Sequence, residues 1–292
     1  GEEKDDIKYK LEHNKNDTKF ELEFDIKKIP LKIDLINFAK NNDQTVNLKI
    51  VGEKKKNFFS FNKIILKKND DTFYFDNLIL SKDLKIKSLK KIDIEYTDIY
   101  KRKNDILITQ KNKNKFYIEG ENFNLSNIID QVLFSDTNTS EVFDDNERNF
   151  KISFKKNLID DDHYILNLLG NFNMKGDNIY DLSLNSSFPN EDNLSMSIKT
   201  KNSEKITTFY SEQAKPFVKK YKFVKGFEGG KIDFYSIKQN NVTKSQLKIF
   251  DFSLKELPAL TKILTLASLQ GIADLLSGEG VGFDELEMSF TN

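Results

Sequence analysis

The feature that most narrows the folding options is a period-two alternation of apolar and polar side chains. It recurs along nearly the whole chain. Phe20, Leu22, Phe24 and Ile26 are interleaved with Lys19, Glu21, Glu23, Asp25 and Lys27. Successive residues of a strand face opposite sides, so such a segment has one apolar and one wet face. Val46, Leu48 and Ile50 repeat the pattern up to Gly52, followed by Phe59 and Phe61, Ile64 to Leu66, and Phe73, Phe75, Leu78 and Leu80. Leu84, Ile86 and Leu89 give way to Ile92, Ile94 and Tyr96. Ile106 and Ile108 match Phe116 and Ile118 across the polar turn QKNKNK, a hairpin signal. Phe150, Ile152 and Phe154 resume the pattern, and Tyr164, Leu166, Leu168, Gly170, Phe172 and Met174 sustain it. The run continues through Leu182, Leu184, Met196, Ile198, Ile206, Ile232 and Phe234. This predicts a mainly β fold, an extended and mostly antiparallel sheet.

Helix signals are few. Leu31 to Ala39 is ambiguous, because Leu31, Ile33 and Leu35 alternate while Leu35, Ile36 and Ala39 suit a helical turn. Leu125 to Phe134 reads as a short helix that Asn124 or Ser126 caps. Ser211 to Tyr221 reads as another, broken or kinked at Pro216. The longest is predicted over 257–277, with Leu260, Ile263, Leu264 and Ala267 on one side, Pro258 in its first turn and Gly278 as its stop. Lys262, Gln270 and Asp274 argue against a membrane span there. The helix is expected to pack on a sheet, or to plug or line a lipid-filled groove. The acidic, aperiodic SDTNTSEVFDDNE at 135–147 suggests a loop or boundary. The expected division is therefore a β-rich segment 1–134, a polar loop 135–149 and a β segment 150–292.

Composition excludes several functions. The 46 basic and 46 acidic residues cancel, and Arg102 and Arg148 are the only arginines. A nucleic-acid surface leans on basic excess and bidentate Arg, so no nucleic-acid partner is expected. Without cysteine there is no disulfide, thiolate site or Cys nucleophile. Catalysis has little to work with: His13 lies in a polar segment, and His163 follows Asp160, Asp161 and Asp162 in what reads as a surface turn. No nucleophile elbow, Walker loop, HExxH or dinucleotide fingerprint occurs. Asp136, Asp144, Asp145 and Glu147 supply oxygens but lack the glycine-centred spacing of a calcium loop. No enzyme, cofactor or metal site is predicted. The opening Gly-Glu-Glu-Lys-Asp-Asp carries no apolar signal region.

The segment PALTKILTLASLQGIADLLSGEGVGFDELE, at 258–287, resembles a signature of the AsmA-like family in its YhdP-type branch. The upstream FVKGFEGGKIDF, with Gly229 and Gly230, is similar to the element preceding it there, and FYIEGENFNLSNII to a weaker repeat element. The resemblance implies a long curved sheet, or β-groove, with two or three helices and an apolar interior. It further implies a periplasmic protein of a Gram-negative envelope, held to the inner membrane by an N-terminal anchor outside these residues. Such a protein passes phospholipids toward the outer membrane and meets a partner on that side.

Physical reasoning points the same way. Phe accounts for 25 residues, mostly at alternating strand positions, and the predicted helices are too few to cover one continuous apolar face. Acyl chains suit such a face, since each buried CH2 contributes about 0.8 kcal/mol without demanding geometry. The lipid-lining candidates are Phe20, Leu22, Phe24, Phe150, Ile152, Phe154, Tyr164, Leu166 and Leu168, with Leu260 and Leu264 from the long helix. Periodicity defines two faces and not which lies inside. The alternative is a structural or assembly factor for outer-membrane protein biogenesis, with the sheet closed by its own layers.

Overall fold

The computed structural model describes residues 6–129, 142–220, 225–240, 242–255 and 280–291. The chain is mainly β, with a 17-stranded, mostly antiparallel sheet and one two-stranded ribbon. The long helix expected at 257–277, with Leu260 and Leu264, lies outside the described residues. Among the described residues helix is confined to a 3-10 turn at Asp34–Ile36, a stretch at 126–129 and α1 (Lys215–Lys220). None of them is long and apolar enough to cross a membrane. The chain forms two compact units, one of Gly1–Leu158 with Asn167–Ile179, the other of Ile159–Leu166 with Tyr180–Asn292.

The first unit begins with β1 (Asp6–His13) and β2 (Asp17–Ile26), then β5 (Val46–Lys55), β6 (Phe58–Lys68) and β7 (Asp71–Ser81), each antiparallel to the one before. The short β8 (Ile86–Ser88) and β9 (Lys91–Thr97) both pair with β7. β10 (Lys103–Asn112) and β11 (Lys115–Asn124) form the expected hairpin, Ile108 opposite Ile118. The Asn112 side chain accepts hydrogen bonds from the N–H groups of Asn114 and Lys115 and closes its turn. β12 (Glu147–Leu158) departs from expectation: it runs parallel to β11. A parallel neighbour needs a crossover of a dozen or more residues, which 125–146 supplies. The boundary expected at 135–149 consequently falls inside the first unit.

The ambiguous segment 31–40 does both things its sequence suggests. β3 (Leu31–Ile33) and β4 (Phe38–Lys40) pair with each other, and the 3-10 turn lies between them. Asn37 ends that turn at φ 55°, a left-handed conformation that Asn tolerates better than most residues. Asn124 is the cap of the 126–129 helix, its side chain accepting the Ser126 N–H at 3.1 Å.

β13 (Tyr164–Lys175) is shared between the units, and Asn167, at φ 52°, stands where one gives way to the other. In the second unit β14 (Asn178–Ser187), β15 (Asn193–Lys201), β16 (Glu204–Ser211), β17 (Phe227–Gln239), β18 (Val242–Leu254) and β19 (Val281–Thr291) pair in succession, all antiparallel. Pro216 neither breaks nor kinks α1. It sits in the first turn, where an N–H has no helical partner. Gly229 and Gly230 lie within β17 at φ 72° and 81°, level with Asp251 at φ 53° in β18, and the ladder keeps its register across them. There Ile249 is followed on the buried face of β18 by Phe252 and Leu254.

Gly120 marks the tightest approach in the first unit. A Cβ there would lie 2.3 Å from the Asp105 carbonyl oxygen and 2.6 Å from the Phe154 ring, both less than any real contact allows. Phe154, paired opposite Gly120, lays its ring over that position and stacks on Phe123 at 5.3 Å. Gly120→Ala is therefore expected to destabilise the chain by about 1–3 kcal/mol, the range for overpacking a close-fitted core. Urea unfolding checks this; an unchanged midpoint would mean that β11 yields freely.

Candidate apolar binding face

The ladder registers align apolar side chains into rows that cross the first unit. The middle row runs Tyr9–Leu22–Ile50–Ile64–Phe75–Ile92–Ile108–Ile118–Ile152, each residue directly opposite the next. One flanking row runs Ile7–Phe24–Leu48–Leu66–Phe73–Ile94–Ile106. On the other flank Leu11, Phe20, Gly52, Phe61 and Leu78 align, and farther on Phe116 opposes Phe150. The opposite face is wet: Lys10–Glu21–Val51–Lys63–Asp76–Lys91–Thr109–Tyr117–Lys151. Lys49 bonds Glu21 at 2.6 Å there, which holds the Glu21 carboxyl below the usual range.

Parity changes within strands keep these rows intact. In β7 the face passes from Phe73 and Phe75 to Leu78 and Leu80 through Asn77, at φ 50°. Its neighbour β6 makes the same step, from Ile64 to Phe61, so both strands shift together. The extra residue falls between β5 and β6, where Val51 and Gly52 face Lys63 and Phe61 and leave Asn62 as the bulge.

Burial is uneven across the rows. On β10, β11 and β12 the middle residues Ile108, Ile118 and Ile152 are half-buried, whereas Ile106, Phe154, Phe116 and Phe150 beside them are buried. Leu22, Ile50, Ile64 and Phe75 are half-buried as well, and Tyr9 at the β1 end is 70% exposed. The middle row is thus an apolar floor that is less covered than its margins on β10, β11 and β12, is buried at Ile92, and along β1 to β6 has flanks no better covered than itself, with Ile7 and Leu11 exposed. At roughly 4.8 Å per strand it extends on the order of 38 Å. That is more than twice the depth of one leaflet, about half of the ~30 Å hydrocarbon core of a bilayer.

Each margin has its own cover. At one, Phe38 is fully buried against Phe73 at 4.7 Å and Tyr96 at 6.0 Å, so the β3–β4 ribbon closes that end of the strands. The Tyr96 hydroxyl donates to the Ile36 carbonyl at 2.8 Å, and burial pushes its pKa up. Lys40, almost wholly buried, donates to the carbonyls of Lys27, Ile29 and Asn41, which keeps its charge satisfied. At the other margin Leu78, Leu89, Phe116, Phe150 and Met174 form a buried cluster that takes in Ile92 of the middle row, with Phe143 and Phe172 and the floor residues Ile64, Phe75, Ile108 and Ile118 against it. Buried Arg148 fixes this side: it pairs with Asp144, donates to the Ile86 carbonyl at 2.9 Å and lies over the Phe143 ring at 4.9 Å.

The candidates read from sequence divide accordingly. Phe20, Leu22 and Phe24 share a face with Phe150, Ile152 and Phe154, as alternation predicts, with Leu22 and Ile152 on the floor and Phe150 and Phe154 in the buried margins. Tyr164, Leu166 and Leu168 do not form one set. The left-handed Asn167 changes the parity of β13, so that Ile165 is buried before it and Leu168 and Met174 after it, while Tyr164 and Leu166 are half-buried. Sequence reasoning left Tyr9, Ile50, Ile64, Phe75, Ile108 and Ile118 off the site; all belong to alternating segments, and only the register shows that they align. Asp136 lies outside the described residues, and Asp144 is engaged by Arg148. The His163–Asp160 contact of 2.8 Å belongs to a turn in which Asp160 also accepts the N–H groups of Asp162 and His163.

The burial contrast predicts unequal costs. Phe116→Ala empties a packed margin and is expected to lose about 3–5 kcal/mol. Ile118→Ala on the half-exposed floor is expected to lose only about 1 kcal/mol. Urea titration of both variants tests this, and equal losses would mean that the floor is as closed as its margins.

Compared with protein-family models, curated proteins and solved structures, the chain matches none.

Proposed function

We propose that the chain binds lipid acyl chains on the apolar floor of its first unit, without catalysis, as a segment of an envelope protein that passes phospholipids toward the outer membrane. The observation that carries the binding is the continuous uncharged row on one face of the sheet, half-buried at Ile108, Ile118 and Ile152 between the buried Ile106 and Phe154 on one side and Phe116 and Phe150 on the other. Water gains nothing from such a floor, whereas an acyl chain laid along it removes apolar surface from water on both partners. The row carries no charge and no hydrogen-bonding side chain after Tyr9, so it holds a chain without fixing its position. That property suits passage better than tight storage. The envelope setting, the inner-membrane anchor and the direction of transport rest on the AsmA-like resemblance of 258–287.

A second reading, an assembly factor with a closed core, draws on the second unit. There Leu184, Met196, Phe209, Phe234, Leu247 and Met288 form a comparable row, and α1 packs on it, with Phe217 against Phe209 at 4.8 Å.

Native mass spectrometry distinguishes the readings. The purified chain is incubated with phosphatidylethanolamine–phosphatidylglycerol vesicles, separated from them and sprayed intact. Lipid adducts are expected on the parent chain and absent from an Ile118→Asp variant whose circular dichroism matches that of the parent chain. A folded parent chain free of lipid would favour the assembly factor.

A further inference from the structure

The wet face of the first unit carries a feature that lipid binding does not use. A cleft of about 530 Å³ opens over β11, β12 and β13, lined by Tyr117, Glu119, Lys151, Ser153, Leu169 and Asn171. Its size lies within the range of small-molecule sites. A second cleft of about 510 Å³ over β1, β2 and β5 makes a useful contrast. Apart from Lys19, its charges are paired: Lys10 with Glu12 at 3.0 Å, Glu21 with Lys49 at 2.6 Å, Glu53 with Lys55 at 2.8 Å. In the first cleft Glu119, Ser153 and Asn171 make no side-chain hydrogen bond to any described residue.

We infer that this cleft is a binding site for a neutral saccharide. Charge decides first. The lining holds one carboxylate, Glu119, and one ammonium, Lys151, so it favours neither a phosphate, which wants a cationic surplus, nor a metal ion, which wants several carboxylates. Hydrogen-bonding capacity decides next. Glu119 accepts, Lys151 donates, and Ser153 and Asn171 do both, which matches sugar hydroxyls that donate and accept at once. Shape completes the match, because a pyranose also has a flat face of C–H groups that needs an apolar surface. Tyr117 offers a ring whose orientation is held by the ammonium groups of Lys111 at 5.4 Å and Lys151 at 5.9 Å. Beside it Leu169 is 53% exposed, an unusual position for a leucine on a polar face. Tyr117 and Ile118 are consecutive in β11 and point to opposite faces, so the cleft opens away from the lipid floor, although Ile152 of the floor row also borders it.

Saturation-transfer NMR and calorimetry with maltotriose, lactose and chitotriose as probes, each at millimolar concentration, test the assignment on the full chain. At least one probe is expected to bind, and Tyr117→Ala to weaken it by about tenfold or more, the loss of one stacking contact. Glu119→Gln, a change at an exposed position that leaves the fold alone, is expected to weaken it severalfold while leaving any lipid adducts unchanged. Failure of all three probes to bind, or wild-type affinity in Glu119→Gln and Tyr117→Ala, would overturn the site. Either result leaves the lipid reading untouched.

Discussion

Everything in the first unit depends on one constraint, the register that brings apolar side chains from neighbouring strands into line on a single face. In a sheet with period two, a slip of one residue moves a whole strand's apolar set to the wrong side. Leu22, Ile50, Ile64, Phe75, Ile92, Ile108, Ile118 and Ile152 stand in line because each ladder holds its register. Where the buried set of a strand changes parity, an Asn or Asp in the left-handed region stands at the change. Asn77 does this in β7, Asn167 in β13 and Asp251 in β18. These residues tolerate that conformation at lower cost than most others, so the chain's abundance of Asn serves the sheet directly.

How much of this was legible in the sequence follows from the range of the interactions. The strands themselves, the β10–β11 hairpin and the common face of the Phe20–Phe24 and Phe150–Phe154 sets are written in local alternation, which needs no knowledge of partners. The parity changes are not, because Asn167 reads as an ordinary polar position until its backbone turns left-handed and splits Leu166 from Leu168. The parallel pairing of β11 with β12 was equally hidden, since alternation carries no direction. The margins were missed for a different reason. Phe38 becomes the stopper at one end of the strands only through contacts with Phe73 and Tyr96, far away in sequence. The buried Lys40 and Arg148 read as two more surface cations until the carbonyls that surround them are in place.

The two faces of one sheet therefore have different chemical work. One face is an apolar floor, with the β3–β4 ribbon at one side and the Phe116–Phe150 cluster at the other. The opposite face is mostly satisfied by its own ion pairs, and it departs from that economy at the Tyr117 cleft, where polar groups are left open to a ligand.

The most direct measurement of the central claim is site-specific photo-crosslinking. A photoreactive residue placed at position 118, on the floor, is compared with one at position 117, its neighbour on the wet face, in the presence of phospholipid vesicles. The account predicts a lipid adduct at 118 and none at 117. Equal labelling at both positions, or labelling at 117 alone, would contradict it, because the acyl chain would then not be lying on the apolar face.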